Sequence, residues 1–191
     1  MELLQKTILS HGKVLPNNVL KVGSFLNQQI DADLLKAMAQ DIYEKFSDCV
    51  VNKILTVEAY GIALACVTAQ FFNCKTVFAK KSKTSNLDGE NLTAECFSYT
   101  HQKLNHLIIP KAYLNENDKV LIVDDFLAHG EAIRACCQLI ESAGAKVVGA
   151  AIAIEKGFQG GGDEFRKNGL NVYSLAIIDE MNENGIKFRK E

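Results

Sequence analysis

Asp124 and Asp125 are two adjacent carboxylates that follow the apolar run of residues 120–123 and precede a loop containing Gly130. Like charges at the end of a buried strand repel each other, and their removal from water adds to the cost. The pair is therefore expected either where the strand simply reaches the surface or where a cation or a set of hydroxyl groups binds.

The loop after the two aspartates is predicted to bind a phosphate. It leads into a predicted helix, whose first turn presents unpaired backbone N–H groups and the positive end of the helix dipole. Gly130 lets the backbone approach an anion closely. Carboxylates one turn away accept hydrogen bonds from sugar hydroxyls or bind Mg²⁺ through water. Together these features predict a ribose 5-phosphate site.

Hydrophobic periodicity and turn residues predict the elements that position this site. Helices are predicted over residues 31–46, 61–72 and 130–142. Strands are predicted over residues 50–57, 75–79, 106–113, 119–123, 146–154 and 172–178. Most of these strands are apolar on both faces, which is typical of a parallel sheet covered by helices. The sequence predicts one α/β domain, residues 1–191, in which residues 1–46 carry helix signals only and form a cap.

Ligands bind beyond the carboxyl ends of the strands in such sheets. Three predicted loops lie at strand ends, residues 58–61, 124–132 and 155–162, and each contains glycine and at least one acidic residue. We expect the three loops to converge on one site.

Composition narrows the function classes. The chain has 191 residues, a net charge of −2 and no block of lysine and arginine, which argues against a nucleic-acid partner. No apolar run is long enough to span a bilayer, and the N-terminus lacks a signal-peptide core. Six cysteines form no CxxC pair and do not cluster with the four histidines, so we expect reduced cysteines in a cytoplasmic protein and no zinc site.

The stretch VLIVDDFLAHGEA, residues 120–132, resembles the signature of the type I phosphoribosyltransferases. In that family, four apolar and two acidic residues precede a loop that binds the 5-phosphate of 5-phosphoribosyl pyrophosphate (PRPP). The alternative is an ordinary strand end with incidental aspartates. The resemblance implies the type I phosphoribosyltransferase fold with a small N-terminal hood, PRPP as substrate, Mg²⁺ bound with PRPP, and a homodimer.

The resemblance assigns roles around this motif. Asp124 and Asp125 would hold the ribose hydroxyls and orient the substrate. The 5-phosphate loop would be Ala128, His129, Gly130, Glu131 and Ala132. His129 and Glu131 replace the hydroxyl residues of many members, so backbone N–H groups would make most phosphate contacts. Ala128 replaces the aspartate that some purine-specific members offer as a general base, so no base is assigned.

Two further segments resemble family loops. Residues 56–61 resemble the pyrophosphate loop, which would bind through Glu58, Ala59, Tyr60 and Gly61 and in the family can hold a non-proline cis peptide. Residues 80–96 match the flexible catalytic loop in position and composition. Its lysines, Lys80, Lys81 and Lys83, would neutralise the pyrophosphate, with Lys81 as the catalytic candidate. The alternative for this segment is a solvated surface hairpin.

Over its full length the chain most resembles the bacterial xanthine-specific members, through LPNNVLKVGSFLNQQID and IEKGFQGGG. The base-contacting positions of that family match Leu20, Asn27 and Lys156. A lysine would donate to a purine carbonyl, and an amide suits the imide face. The resemblance implies purine salvage from xanthine. The alternatives are a guanine/hypoxanthine or adenine transferase, and a non-catalytic PRPP sensor that regulates transcription.

Overall fold

A computed structural model describes residues 1–82, 89–98, 103–183 and 185–190 of the chain. The α-helices of these ranges are α1 (Glu2–His11), α2 (Ala32–Phe46), α3 (Gly61–Phe72), α4 (Glu131–Ser142) and α5 (Gly161–Lys167). The strands are β1 (Lys13–Leu15), β2 (Val19–Lys21), β3 (Lys53–Val57), β4 (Lys75–Ala79), β5 (Asn91–Ser98), β6 (Lys103–Pro110), β7 (Lys119–Leu127), β8 (Lys146–Lys156), β9 (Val172–Asn182) and β10 (Gly185–Phe188). A π-helical turn covers Gly23–Asn27, and 3₁₀ turns cover Lys111–Tyr113 and Gly157–Gln159.

The main sheet has the order β10-β9-β8-β7-β3-β4, and its pairs are parallel except for β10 against β9. Successive residues of a strand point to opposite faces, so an apolar strand feeds two cores. In β7, Leu121 and Val123 pack with the helices α2 and α3, whereas Val120 and Ile122 pack with α4. The predicted α/β class with a mostly parallel sheet between helical layers is confirmed.

The N-terminal region, residues 1–46, contains a hairpin that the sequence did not predict. Strand β1 pairs antiparallel with β2, so the expectation of helix alone in this region is wrong. The intervening Asn17 and Asn18 have φ angles of 60° and 58°, a left-handed conformation that asparagine tolerates well. Leu4 and Ile8 of α1 are fully buried in the same core as the main sheet.

The segment after β4 also differs from its prediction. Residues 91–96, expected to belong to a polar loop, form most of β5, which pairs antiparallel with β6. Leu92 and Ala94 are buried against the α4 side of the sheet. The alternation of buried and exposed residues in this strand was not recognised in the sequence because the neighbouring residues are polar. The strand predicted over residues 106–113 ends at Pro110 and belongs to this hairpin. Residues 83–88, which include Lys83, lie outside the described residues.

Several strands are longer than predicted, and the change affects the site. Strand β7 continues to Leu127 because it stays paired with β8, where Leu127 lies opposite Glu155. Its pairing with β3 stops at Ile122. Asp124 and Asp125 therefore lie inside the strand rather than beyond its tip. Strands β8 and β9 also extend past residues 154 and 178, β3 begins at residue 53 rather than 50, and β10 was not predicted.

Candidate active site

A cavity of about 490 Å³ opens at the carboxyl ends of β3 and β7. Most of the site residues expected from the sequence line it, namely Glu58, Ala59, Tyr60, Lys81, Asp124, Asp125, Ala128, His129, Gly130, Glu131 and Ala132. The first two of the three predicted loops therefore converge as expected.

Asp124 is buried in this cavity and Asp125 is half-buried, and neither forms a salt bridge in the described part of the chain. Asp124 is only 8% exposed, and its Oδ1 accepts a hydrogen bond of 3.0 Å from the backbone N–H of Asp125. Burial, and then the adjacent charge of Asp125, raises the pKa of Asp124 well above its ordinary value. Burial likewise raises the pKa of Asp125. Carboxylates in this arrangement can accept hydrogen bonds from a ligand.

Gly61 allows helix α3 to begin directly against this pair. A Cβ atom on Gly61 would lie 2.6 Å from Oδ1 of Asp124 and 2.3 Å from Oγ1 of Thr56. Both distances are too short for a side chain, so Gly61 lies beneath the site and brings the N-terminus of α3 close to the carboxylates. The free N–H groups of that first turn can bind a phosphate group.

The loop between β3 and α3 faces the same cavity. The Glu58–Ala59 peptide bond is cis, as the resemblance had raised for this loop. The carboxylate of Glu58 accepts a hydrogen bond of 2.6 Å from the backbone N–H of Lys81, which ties the start of the lysine-bearing segment to this loop. The side chain of Lys81 lines the cavity. A cation is thus present on the side where a diphosphate would lie.

The loop of residues 128–132 turns through Gly130, whose φ is 90°. A Cβ atom there would lie 2.3 Å from a ring carbon of Phe165, so only glycine fits. Arg134 braces the loop, because its Nη2 donates to the carbonyl oxygen of His129 at 3.0 Å and its Nη1 donates to Glu164 at 2.9 Å. This support from α5 carried no signal in the sequence.

The third predicted loop also reaches the cavity, through Gln159 and not through its acidic residue. Glu155 is fully buried and belongs to β8, and Arg166 donates two hydrogen bonds to it, of 2.9 and 2.6 Å. The Oγ of Ser174 also donates to it. The acidic group of this loop is therefore committed to the interior and is not a site residue. The loop instead supplies Gln159, which lines the cavity and whose Oε1 is buried without a partner among the described residues.

Two of the three candidate base-contacting residues, Leu20 and Lys156, lie apart from the cavity wall. Leu20 is 7% exposed and belongs to the core. The Nζ of Lys156 donates to the carbonyl oxygen of Asn18 at 2.8 Å and lies 5.8 Å from the ring centroid of Phe126. Burial lowers the pKa of Lys156. Asn27 reaches the site, because its Nδ2 donates to Oδ2 of Asp125 at 3.3 Å.

The β5–β6 hairpin contributes cavity residues that sequence reasoning missed. Cys96 and Asn105 lie opposite each other in the antiparallel register, and both line the cavity with Phe97. Only the pairing of the two strands brings them to the site, so their spacing in the sequence gave no indication.

The donor set of the cavity suits a metal ion that arrives with its ligand. In the described ranges, no three His, Cys, Asp or Glu side chains are grouped to hold a metal. The cavity does offer the carboxylates of Glu58, Asp124 and Asp125. Mg²⁺ is usually bound by one or two carboxylates together with substrate phosphates and water, so the residues present fit a Mg²⁺ carried by a diphosphate.

No helix in the described ranges is long and apolar enough to cross a bilayer.

Comparisons with known proteins point to one family. Residues 21–187 match the family described as phosphoribosyl transferase domain. The chain is 50% identical to the xanthine phosphoribosyltransferase of Bifidobacterium adolescentis, over 99% of this chain and 100% of that protein. It is 46% identical to the xanthine phosphoribosyltransferase of Alkaliphilus metalliredigens, over 100% and 95%. Adenine phosphoribosyltransferase from Leishmania tarentolae shares the fold, with a TM-score of 0.76 and 20% identity over 94% of this chain and 89% of that one.

Proposed function

The chain belongs to the phosphoribosyltransferase family, and we propose that it transfers the 5-phosphoribosyl group of PRPP to xanthine. The products are xanthosine 5′-monophosphate and pyrophosphate, and the reaction belongs to purine salvage. One observation supports the reaction above all: Asp124 is buried without a salt bridge among the described residues, and it lies with Asp125 in a cavity whose wall holds the starts of α3 and α4. Two anion-binding helix starts around diol acceptors match a sugar that carries a phosphate at each end.

The substrate is oriented before it reacts. Asp124 and Asp125 accept hydrogen bonds from the ribose hydroxyls, residues 128–132 bind the 5-phosphate through backbone N–H groups, and residues 58–61 hold the pyrophosphate. Fixing these three groups places the anomeric carbon in front of the base, and such orientation lowers the barrier by removing entropy in advance. We assign the aspartates this binding role and no proton transfer.

The bond from the anomeric carbon to the pyrophosphate oxygen breaks as a purine nitrogen bonds to that carbon, and the imidazole proton of the purine leaves to water. The sugar ring carries positive charge in the transition state, and negative charge develops on the departing pyrophosphate. Lys81 and the N–H groups at the start of α3 stabilise that developing charge. Asp124 or Glu58 would hold a Mg²⁺ ion that arrives with PRPP, and the ion would supply further charge neutralisation. With Ala128 in the phosphate loop, no general base is assigned.

The choice of xanthine rests on the near-complete alignment with relatives of that name and on Lys156. Lys156 uses one donor on the Asn18 carbonyl, which leaves two for a purine carbonyl oxygen. An amino group at position 6 would face these donors with donors of its own, which disfavours adenine. A 6-oxo group is shared by xanthine, guanine and hypoxanthine, so a guanine/hypoxanthine transferase is the second candidate. Leu20 is proposed to pack on the ring.

The test is product formation from xanthine, guanine, hypoxanthine and adenine, each with PRPP and Mg²⁺. We expect the highest kcat/KM with xanthine and the lowest with adenine. A kcat/KM for guanine above that for xanthine would contradict the specificity. PRPP binding without turnover of any base would favour a regulatory sensor. We further propose that the protein is cytoplasmic and that it forms a homodimer. Sedimentation of the purified chain tests the oligomeric state.

A further inference from the structure

We propose that Asn27 is a positioning residue for PRPP, because it holds the ribose carboxylate Asp125 from the N-terminal hood. The hood would then support the ribose half of the site whether or not a base is bound. This inference rests on the proposed function, since it assumes that Asp125 binds the ribose.

The position of Asn27 is set by the core. It is the last residue of the π-helical turn Gly23–Asn27, in which Phe25 is 4% exposed and Leu26 is 1% exposed. These two side chains pack in the core that the hood shares with the main sheet. The packing of these two side chains fixes the position of the turn relative to β7. In that position Nδ2 of Asn27 donates to Oδ2 of Asp125 at 3.3 Å.

The contact also fixes which end of the amide points away. An ionised carboxylate can only accept hydrogen bonds, so the NH₂ group of Asn27 must face Asp125. The other end, Oδ1, is buried and has no partner within the described part of the chain. A buried carbonyl oxygen left unpaired is unfavourable, and a donor from a bound base or ribose would relieve it. One end of the Asn27 amide therefore binds Asp125, and the other end, Oδ1, is available to accept a hydrogen bond from a ligand.

The neighbouring residue makes a parallel contact. Gln28 donates through Nε2 to the hydroxyl of Tyr60, in the pyrophosphate loop, at 3.3 Å. Its amide lies over Gly23, where a Cβ atom would come within 2.1 Å of Oε1 of Gln28. Consecutive residues of one turn thus reach the ribose carboxylate and the pyrophosphate loop. Both contacts are to the PRPP half of the site, which supports a role for the turn in PRPP binding.

The test is the dissociation constant of PRPP with Mg²⁺ in the absence of any base, measured by calorimetry. Asn27→Ala should weaken binding by about 5- to 10-fold, within the range for one ordinary hydrogen bond, because Asn27 acts on PRPP through Asp125. Asn27→Asp has the same shape but lacks the donor and adds a charge beside Asp125, so it should weaken binding further. The matched control is Lys156→Met, which removes a proposed base contact and should leave this dissociation constant within about 2-fold.

Steady-state kinetics separates this role from a merely structural one. In Asn27→Ala the KM for PRPP should rise, and the factor should be the same whether xanthine or guanine is the second substrate. The midpoint of thermal unfolding should stay near that of the wild type. A rise in the KM for the base alone, with unchanged PRPP binding in both Asn27 variants, would overturn the inference and leave the proposed function intact. Failure of the wild-type chain to bind PRPP would overturn both.

Discussion

Strands β7 and β8 lie side by side, and each places a buried carboxylate near its carboxyl end, Asp124 on β7 and Glu155 on β8. On β8, Glu155 is fully buried and accepts two hydrogen bonds from Arg166, whose pKa it raises. On β7, Asp124 and Asp125 have no salt bridge in the described ranges, and burial raises the pKa of both. A buried charge with its own partner belongs to the structure, whereas an uncompensated pair in a cavity indicates a ligand site.

The largest effect is expected when the uncompensated pair is neutralised. In the double variant Asp124→Asn, Asp125→Asn the cavity keeps its shape but loses the charged acceptors for the ribose hydroxyls. Two lost charge-assisted hydrogen bonds correspond to about 3–6 kcal/mol, or roughly 10²- to 10⁴-fold in the dissociation constant of PRPP. Calorimetric titration with PRPP and Mg²⁺ measures the change. Binding within about 3-fold of the wild type would show that the pair does not hold the ribose.

Breaking the buried ion pair between Arg166 and Glu155 should lower stability rather than PRPP affinity. Arg166→Met leaves Glu155 buried without its main partner, and the free energy of unfolding should fall by about 3 kcal/mol, near the lower end of the values for breaking buried pairs. Chemical denaturation measures the loss.

Arg189→Met is the matched control for Arg166→Met. Arg189 also bonds to Asp163, but its partners are half-exposed, and the expected loss is about 1 kcal/mol. Both folded variants should bind PRPP within about 3-fold of the wild type. A much weaker affinity for PRPP in Arg166→Met alone would place Glu155 in the binding machinery.

The same contrast explains what the sequence could predict. The motif at residues 120–132 predicts the carboxylates, the phosphate loop and the sheet, because strand, acidic pair and helix start are contiguous in the chain. The sequence predicts that the loop of residues 155–162 reaches the site, but it does not predict the partners of Glu155, since Arg166 and Ser174 lie on later elements and only the tertiary fold brings them together. Asp124 and Glu155 look alike in the sequence, and their partners distinguish them.

Distant pairings limited the rest of the prediction in the same way. Arg134 and Phe165 brace the phosphate loop from different helices, and Cys96 and Asn105 reach the cavity only through the register of β5 and β6. The hairpin of β1 and β2 was missed because its turn uses two asparagines rather than glycine. Helix periodicity was the more reliable signal: α2 and α3 have the predicted ends to within one residue.

The smallest effect expected from this comparison is a pH dependence of the free energy of unfolding that arises from Asp124 and Asp125 of β7. The pKa of Asp124 and of Asp125 is raised in the folded chain above the ordinary 3.8, so folding takes up protons above that value. The resulting stabilisation is complete below the unfolded pKa and is lost as the pH rises through the folded pKa. Relative to the Asp124→Asn, Asp125→Asn variant, the unliganded wild type should therefore become less stable as the pH rises from about 4 towards 8.

Denaturant unfolding of both proteins across that range gives the difference curve, in which the other titrating groups cancel. PRPP affinity of the wild type should increase over the same interval, because the ribose hydroxyls need ionised acceptors. Opposite slopes for stability and affinity are expected of a carboxylate pair that has no salt bridge in the described ranges and accepts hydrogen bonds from its ligand. A flat difference curve would mean that the pKa of Asp124 and of Asp125 does not change on folding, and the contrast between the two strands would fail.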